Sequence, residues 1–568
     1  MVIGESIKIS MPELENTLIG YVTSVRGSGM QARIIGANNE GVVPLASDFE
    51  QLAGQIGSYV VVKQSKVSIL AILTEAVLES PGASPLIDTG ILPESGRRQI
   101  ISMIPLGEFS ESELFHRGVK HFPMPGAQVH SVSVDKIKKI FATYRAFGFN
   151  VGSFSTHRSL EVNLNPSILF GRHFALLGQS GSGKSWTIAS LLQRAVSCMP
   201  NAHIIVLDLH GEYCWHDENR EMQSAFKKNT VRYIDARRLE IPYWLMTYAD
   251  LIDLLIDRSD SGASMQMAFL RDVVYELKEK LGKELGMDSV SIDSPIYFSL
   301  DDVYKKFKYA NEEMLEFGKV EGPLFGRFDE FLVKLHSRLN DVRYDFLLKP
   351  KRRVSSLALS GLLRDFVGLG DPKCQITVID LSSVPFDVRP SISAQIGRVA
   401  FEFNYWNPRN REFPILLVCE EAHAYIPRES NTQYEGTRKS MERIAKEGRK
   451  YGVGLGVVSQ RPHELSETVL SQCGTFICLR ITNPDDQAYV RDLVPEAEGD
   501  LTDILTTLGR GEAMILGEAA ALPTRFQVYR PDPPPNSNDV NFHACWNSET
   551  DTLDVDGIAD RWRRQGQM

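Results

Sequence analysis

Gly178-Gln179-Ser180-Gly181-Ser182-Gly183-Lys184-Ser185 narrows what this chain can fold into more than any other stretch of it. It fits G-x-x-x-x-G-K-S/T, and it stands between an apolar run, FALLG, and a helical run, TIASLLQRAV. Glycines at such a turn let backbone N–H groups curl round phosphate oxygens, and the helix N-terminus adds partial positive charge. Lys184 then reaches the β- and γ-phosphates and the Ser185 hydroxyl ligates Mg²⁺. Trp186, the next residue, is grouped with the loop. ATP and Mg²⁺ are therefore the expected cofactors, and a strand-to-helix α/β unit is the expected context.

A phosphate loop needs a carboxylate to anchor Mg²⁺ and, for hydrolysis, one to orient water. Phe413-Pro414-Ile415-Leu416-Leu417-Val418-Cys419-Glu420-Glu421 offers a strand that ends in two adjacent glutamates. Neighbours at a strand end point in different directions and can divide the work. Glu420 is assigned to the Mg²⁺ side and Glu421 to water activation. Another strand ends in Leu207-Asp208-Leu209-His210-Gly211-Glu212-Tyr213, which reads equally as an ordinary turn and as part of a site. Gly454 to Pro462 places Gln460 at a strand tip, where an amide can sense the γ-phosphate as donor and acceptor, or simply precede a turn. Arg443, Lys446, Arg449 and Lys450 make a basic run on a helix. It reads as a solvated face paired with Glu442 and Glu447, as the source of an arginine acting on a neighbour's nucleotide, or as a contact to DNA phosphate.

Around these motifs the chain divides into blocks. Residues 1–85 hold short β-branched runs (Ile19 to Val25, Ala32 to Ile35, Tyr59 to Val62, Val67 to Leu73) punctuated by Gly27, Gly29, Gly36, Gly41, Gly54 and Gly57, the pattern of a small β-barrel or sandwich. Residues 86–150, entered after a turn at Pro81-Gly82, read as an extension of the barrel, with a further turn at Pro123-Met124-Pro125-Gly126 and a basic helix at Val134 to Tyr144. From 151 to 244 and again from 351 to 530, apolar strands alternate with helices: His173 to Leu177, His203 to Leu207, Gln375 to Ile379, Ile415 to Cys419, Val453 to Val458 and Phe476 to Leu479. Such runs mark a parallel sheet covered on both faces. Residues 245–350 are helical by periodicity and read as an insertion. Residues 531–568 open with PDPPPNSNDV, which ends the fold and starts an exposed arm.

Composition sets limits on the rest. Sixty-two basic and 72 acidic residues give a net charge of −10, which argues against a protein that coats nucleic acid over its whole surface but leaves room for a local basic channel. Seven scattered cysteines do not make a disulfide framework, so a reducing cytoplasm is expected. The acidic start lacks the pattern of a signal peptide, and no apolar run reaches bilayer length.

The order of these motifs resembles the HerA family of hexameric DNA translocases, within the HerA–FtsK division of P-loop ATPases. The resemblance rests on GQSGSGKS, DLHGEY, IPYWLM at Ile241 to Met246, CEEAHAYIP, RIAKEGRKYGVGLGVVSQRP and the late GEAMILG, and it covers residues 1 to about 530. It implies an α/β RecA-like P-loop NTPase core with an N-terminal barrel and an inserted helical bundle. It further implies a homohexamer with double-stranded DNA in its channel and ATP between subunits. On matching positions, Gly178 to Ser185 would bind phosphate, and Ser185 and Glu420 would hold Mg²⁺. Glu420 and Glu421 would be the Walker B acids and Gln460 the sensor. The trans-acting arginine maps to Arg449, with Arg443 as runner-up, because the family's REGRK-type run reads Lys446-Glu447-Gly448-Arg449-Lys450 here. Family members work with a separate effector on the barrel face, a NurA-type or other nuclease or a sirtuin-like NAD-consuming protein, in DNA end processing or antiphage defence. A motor that pulls DNA and an ATP-built scaffold that organises the effector both remain open, as does a C-terminal arm that is free or lies across a neighbour. A conjugation- or secretion-type ATPase lacks the expected membrane anchor.

Overall fold

The computed structural model of the chain describes residues 18–27, 29–35, 56–65, 67–79, 98–109, 115–132, 134–155, 158–217, 219–315, 320–386, 388–429, 435–538, 540–547 and 553–563. The turns expected at Gly36, Gly41, Gly54 and Pro81-Gly82, and the acidic start, lie outside these residues.

Six antiparallel strands close the N-terminal barrel. In spatial order they are Met30–Ile34, Leu18–Val25, Gln128–Ser131, Tyr59–Gln64, Val67–Glu79 and Arg98–Phe109, the last pairing back onto Met30–Ile34. Two of the six lie beyond residue 85, in the stretch expected as an extension. Arg98–Phe109 can pair with both Val67–Glu79 and Met30–Ile34 because bulges at Leu106, opposite Leu70/Ala71, and at Thr74, between Leu73 and Glu75, bend the long hairpin round. Alternate side chains explain the unbroken apolar runs. Val60, Val62, Ile69, Ala71 and Leu73 fill the barrel. Val61, Leu70, Ile72, Ile104 and Leu106 face outward and join the main core of the molecule. Strands buried on both faces need no polar alternation.

The main sheet has eleven strands. Seven run parallel in the order Val231–Asp235, Ile376–Asp380, Ile204–Asp208, Ile415–Cys419, Val453–Ser459, Phe174–Leu177 and Thr475–Cys478. Four more, Glu512–Gly517, Thr524–Val528, Asn150–Phe154 and Glu161–Asn163, extend it antiparallel, so the sheet is mixed rather than wholly parallel. Helices Lys184–Cys198 and Arg389–Trp406 bury long apolar faces against it. The stretch expected as a helical insertion carries helices Tyr248–Leu255, Ala263–Glu284, Leu300–Glu312 and Asp329–Leu339, with a two-stranded hairpin of Met314–Leu315 and Val320–Glu321. Its centre is a ring cluster of Phe269, Phe307, Phe328 and Phe331, with centroids 4.2–4.9 Å apart.

Barrel and sheet are tied by polar contacts as well as by the shared core. Arg117 donates to the carbonyls of Gly517 (2.8 Å) and Ala520 (3.3 Å) and pairs with buried Glu498 at 2.7 Å. Tyr59 donates to the Pro523 carbonyl at 2.7 Å. The start of the C-terminal arm is also anchored: Asp532 N–H donates to Gln193 Oε1, Gln193 Nε2 donates to the Pro533 carbonyl, and Asn536 N–H donates to the Glu212 carbonyl. Beyond it lie the short helices Phe542–Asn547 and Val555–Arg563, with Trp546 and Trp562 exposed. Among the described residues no helix is long and apolar enough to cross a membrane.

Candidate nucleotide site

Four adjacent parallel strands deliver the candidate residues to one edge. Ile204–Asp208, Ile415–Cys419, Val453–Ser459 and Phe174–Leu177 all end there, so Asp208, the Glu420-Glu421 pair, Gln460 and the Gly178 loop are neighbours although they are far apart in sequence. Ligand sites at the carboxyl ends of parallel strands follow from this topology.

Close packing shapes the loop. A Cβ on Gly178 would stand 2.7 Å from Leu479 Cβ and 2.8 Å from Ser182 Oγ. Gly183 caps the helix at φ +107, a left-handed conformation that suits glycine. Gly178 N–H donates to the Ser459 carbonyl (3.2 Å) and Gln179 N–H to the Arg480 carbonyl (3.0 Å), which locks the loop to both flanking strands. Ser182 Oγ donates to the Gln179 carbonyl at 2.6 Å, and Gly511 N–H donates to the Ser182 carbonyl at 3.0 Å. Ser180 and Gly181 are exposed, and Ser185 and Trp186 are half-buried. The Trp186 indole nitrogen is buried without a hydrogen-bond partner.

Lys184 is buried, with Nζ 3.4 Å from the Gln179 carbonyl and 3.9 Å from Glu421 Oε1. Burial pulls its ammonium below the ordinary range, against the opposing pull of Glu421, Glu420 and Glu212. Glu420 is buried. Tyr213 donates to its Oε1 at 2.9 Å, and Tyr425 donates to its backbone carbonyl at 2.9 Å. Burial pushes the Glu420 carboxyl well above its usual range, reinforced by Asp208 and Glu212. Glu421 sits at φ +45, an uncommon conformation for a residue with a Cβ. Asp208 organises the DLHGEY turn: its Oδ1 accepts from the N–H groups of His210, Gly211 and Glu212, and its Oδ2 from Tyr213 N–H.

One oxygen each of Glu212, Glu420 and Glu421 is buried with no hydrogen-bond partner. Buried, unfilled carboxylate oxygens beside a single lysine suit a divalent cation and phosphate. Mg²⁺ is held by one or two protein oxygens together with phosphates and water, so the cluster fits it without a three-ligand protein cage. Gln460 shares a cavity of about 220 Å³ with His210, Arg389, Glu421 and His423, directly beyond the glutamate. Arg449 is not brought to this edge. It is exposed beside Gly452 and Val453, where the Val453–Ser459 strand begins, and so lies at the opposite end of the sheet. Arg443 is held within its own chain, 3.0 Å from Glu402 and over the Phe401 ring at 4.3 Å. Tyr213, His423 and Tyr425 have no role assigned by residue type alone; their position inside DLHGEY and CEEAHAYIP is the sequence signal for them.

Family profiles described as "Helicase HerA, central domain" and "Helicase HerA-like C-terminal" match residues 149–398 and 414–537. A protein of Methanocaldococcus jannaschii, "Probable DNA double-strand break repair helicase HerA", is 30% identical over 451 residues, covering 74% of this chain and 84% of that one. The chain belongs to the HerA family. The "DNA double-strand break repair helicase HerA" of Pyrococcus furiosus is 29% identical over 471 residues, covering 77% of this chain and 78% of its own. Among solved structures, VirB4 of Thermoanaerobacter pseudethanolicus is similar with a TM-score of 0.44 and 17% identity, over 67% of this chain and 96% of that one. The plasmid coupling protein TrwB in complex with ADP and Mg²⁺ gives 0.42 and 12%, over 70% and 92%. As a HerA member with an intact phosphate loop, the chain is a helicase-type ATPase.

Proposed function

We propose that this HerA protein hydrolyses Mg·ATP to drive a homohexameric ring along double-stranded DNA held in its channel. The observation that carries the reading is the convergence of Lys184, Glu420, Glu421 and Gln460 at the ends of three adjacent strands. Lys184 and the loop amides, from Gly178 to Ser185, bind the β- and γ-phosphates. Mg²⁺, when bound, would supply charge neutralisation at those phosphates, and Ser185 and Glu420 would hold it. Glu421 accepts the proton of the attacking water, and Gln460 meets the γ-phosphate. Trp186 contacts the nucleotide, for which its unpartnered indole N–H is available.

Arg449, at the far end of the sheet, can serve only a nucleotide bound by a neighbouring subunit, which suits a ring. DNA as the track is supported by the names of the archaeal relatives, which describe double-strand break repair helicases. A separate effector, a nuclease or a sirtuin-like NAD-consuming protein, docks on the barrel, where Phe122 and Met124 are exposed. The assembly acts in the cytoplasm, in antiphage defence or DNA end processing.

The test is ATP turnover with and without linear duplex DNA, alongside mass by light scattering. A hexamer stimulated by DNA is expected, with turnover lowered at least about a hundredfold by Lys184→Ala or Glu421→Gln. A hexamer whose turnover ignores DNA would instead point to a scaffold that organises its effector. Unchanged turnover in both variants would overturn the site.

A further inference from the structure

Residues 346–364 hold five basic residues and no acidic one, in a chain whose net charge is −10. The centre of that stretch is Lys349-Pro350-Lys351-Arg352-Arg353, and burial sorts its side chains. Leu347, Leu348 and Pro350 are buried, whereas Lys349, Lys351 and Arg352 are exposed. The backbone is pinned as well: Arg352 N–H donates to Oε2 of buried Glu240 at 2.8 Å, and the Trp244 indole donates to the Arg353 carbonyl at 2.9 Å. Arg353 turns back to share Asp365 with Arg232. Apolar anchors and backbone bonds thus hold the run in place and leave three of its charges in water.

A fourth charge joins them from elsewhere in the chain. Glu240 follows the short helix Ala236–Leu239, on which Arg238 is exposed, and that helix lies against Asp345–Leu348. Exposed lysines of the helical insertion are matched on their own surface: Lys283 with Glu279, Lys305 with Asp302 and Lys308 with Glu312. Here Lys349 reaches Asp345 at 3.8 Å in a pair open to water. Among the described residues no ion pair engages the side chains of Arg238, Lys351 or Arg352. Like charges gathered without counter-charges repel one another, and a polyanion relieves that repulsion. Duplex DNA offers about one phosphate charge per 1.7 Å of axis, and contacts to those phosphates fix a protein on the duplex without reading its sequence.

The patch lies at the same end of the main sheet as the nucleotide site, because Ala236–Leu239 continues from the carboxyl end of Val231–Asp235. Five strand spacings, about 24 Å, separate that edge strand from Phe174–Leu177, so the patch is clear of the residues assigned to ATP. We propose that Arg238, Lys349, Lys351 and Arg352 form a contact surface for the phosphate backbone of duplex DNA. This rests on the reading of DNA as the track and assigns that track a place on the subunit.

The test measures the Kd of a fluorescein-labelled linear duplex by anisotropy, with the full-length protein, between about 50 and 200 mM salt. The parent is compared with a variant carrying Arg238→Ala, Lys349→Ala, Lys351→Ala and Arg352→Ala. A control carries Lys280→Ala, Lys283→Ala, Lys305→Ala and Lys308→Ala, which removes the same charge from the helical insertion. All eight side chains are exposed, so both variants are expected to fold and to keep the parent's ATP turnover without DNA. The patch variant is expected to raise Kd about tenfold or more and to flatten the slope of log Kd against log salt by about two or more, since each lost phosphate contact removes about 0.9. The control is expected to change Kd by no more than about twofold, because its charges are screened from the duplex. Equal Kd and slope in parent and patch variant would overturn the proposal. So would a control that weakens binding as much as the patch variant, which is the signature of net charge alone. A patch variant that loses DNA-free turnover would also overturn it, because these residues would then serve the ATPase. A parent that binds no duplex would bring down the DNA reading itself, and this surface with it. A parent that binds beside a patch variant that binds equally would sink the surface alone.

Discussion

Asp208 illustrates how a buried charge is tolerated at the strand ends. Four backbone N–H groups surround its carboxylate, yet burial still raises its pKa to about 6, with Asp380 and Glu212 adding repulsion. A carboxyl whose folded pKa lies above its unfolded one binds its proton more tightly in the folded protein. Its contribution to stability is therefore full below about pH 4 and is lost as pH rises through about 6. Asp208→Asn cannot titrate. Between pH 5 and 7.5 its stability relative to the parent should improve by about 1–2 kcal/mol, read by urea unfolding at the two pH values. A flat difference would show that the amide cage, and not the desolvation, controls this group. Gly178 to Ser185 and Glu420-Glu421 were legible from the sequence because each motif is contiguous and its chemistry local. The placement of Asp208, Tyr213 and His423 was not, because it depends on which strands lie side by side. His423 meets Ser459 across 36 positions only through parallel pairing of the two strands.

The Val453–Ser459 strand, VGLGVVS, carries two glycines where a central strand would ordinarily carry branched residues. The neighbours explain both. A Cβ at Gly454 would overlap the backbone carbonyl of Phe170, and one at Gly456 would stand 2.5 Å from the Phe174 ring. The loop-bearing segment thus approaches the Val453–Ser459 strand more closely than any side chain allows. Gly454→Ala should cost about 1–3 kcal/mol in chemical denaturation, because a backbone atom cannot step aside. A cost below a few tenths would mean that the helix Pro166–Gly171 shifts freely. Six of the seven parallel strands could be read as apolar runs because they are buried on both faces; Val231–Asp235, half-buried throughout at the sheet edge, has no such run. The antiparallel strands are harder to read: Thr524–Val528 alternates between buried and open positions, and Asn150–Phe154 is split from its partner Thr524–Val528 by most of the chain. The same holds for Arg98–Phe109, whose place in the barrel is decided by bulges in its pairing with Val67–Glu79.

Across the whole molecule, the strand Glu512–Gly517 touches both working ends. Gly511, just before it, donates to the Ser182 carbonyl of the phosphate loop; Gly517, at its close, accepts from Arg117 beneath the barrel and donates to Glu498 Oε2 at 2.9 Å. Six extended residues span only about 20 Å. Arg117→Ala would leave Glu498 buried without its cation, and burial already raises that carboxyl. The expected cost is about 2–3 kcal/mol, toward the lower end of such losses because Arg117 is partly in water, and Arg117→Ala with Glu498→Gln should recover part of it in thermal melts. No recovery in the double variant would mean that the carbonyl contacts to Gly517 and Ala520 carry the joint. The shared core of barrel and sheet has a practical corollary for anyone wishing to trim this protein to a minimal engine. Excising the first 130 residues would strip Val61, Leu70, Ile72, Ile104 and Leu106 from the hydrophobic interior and Tyr59 and Arg117 from their carbonyls in a single cut. What remained would be a motor with an open wound rather than a motor without an accessory, and its failure would say nothing about whether the barrel takes part in the stroke.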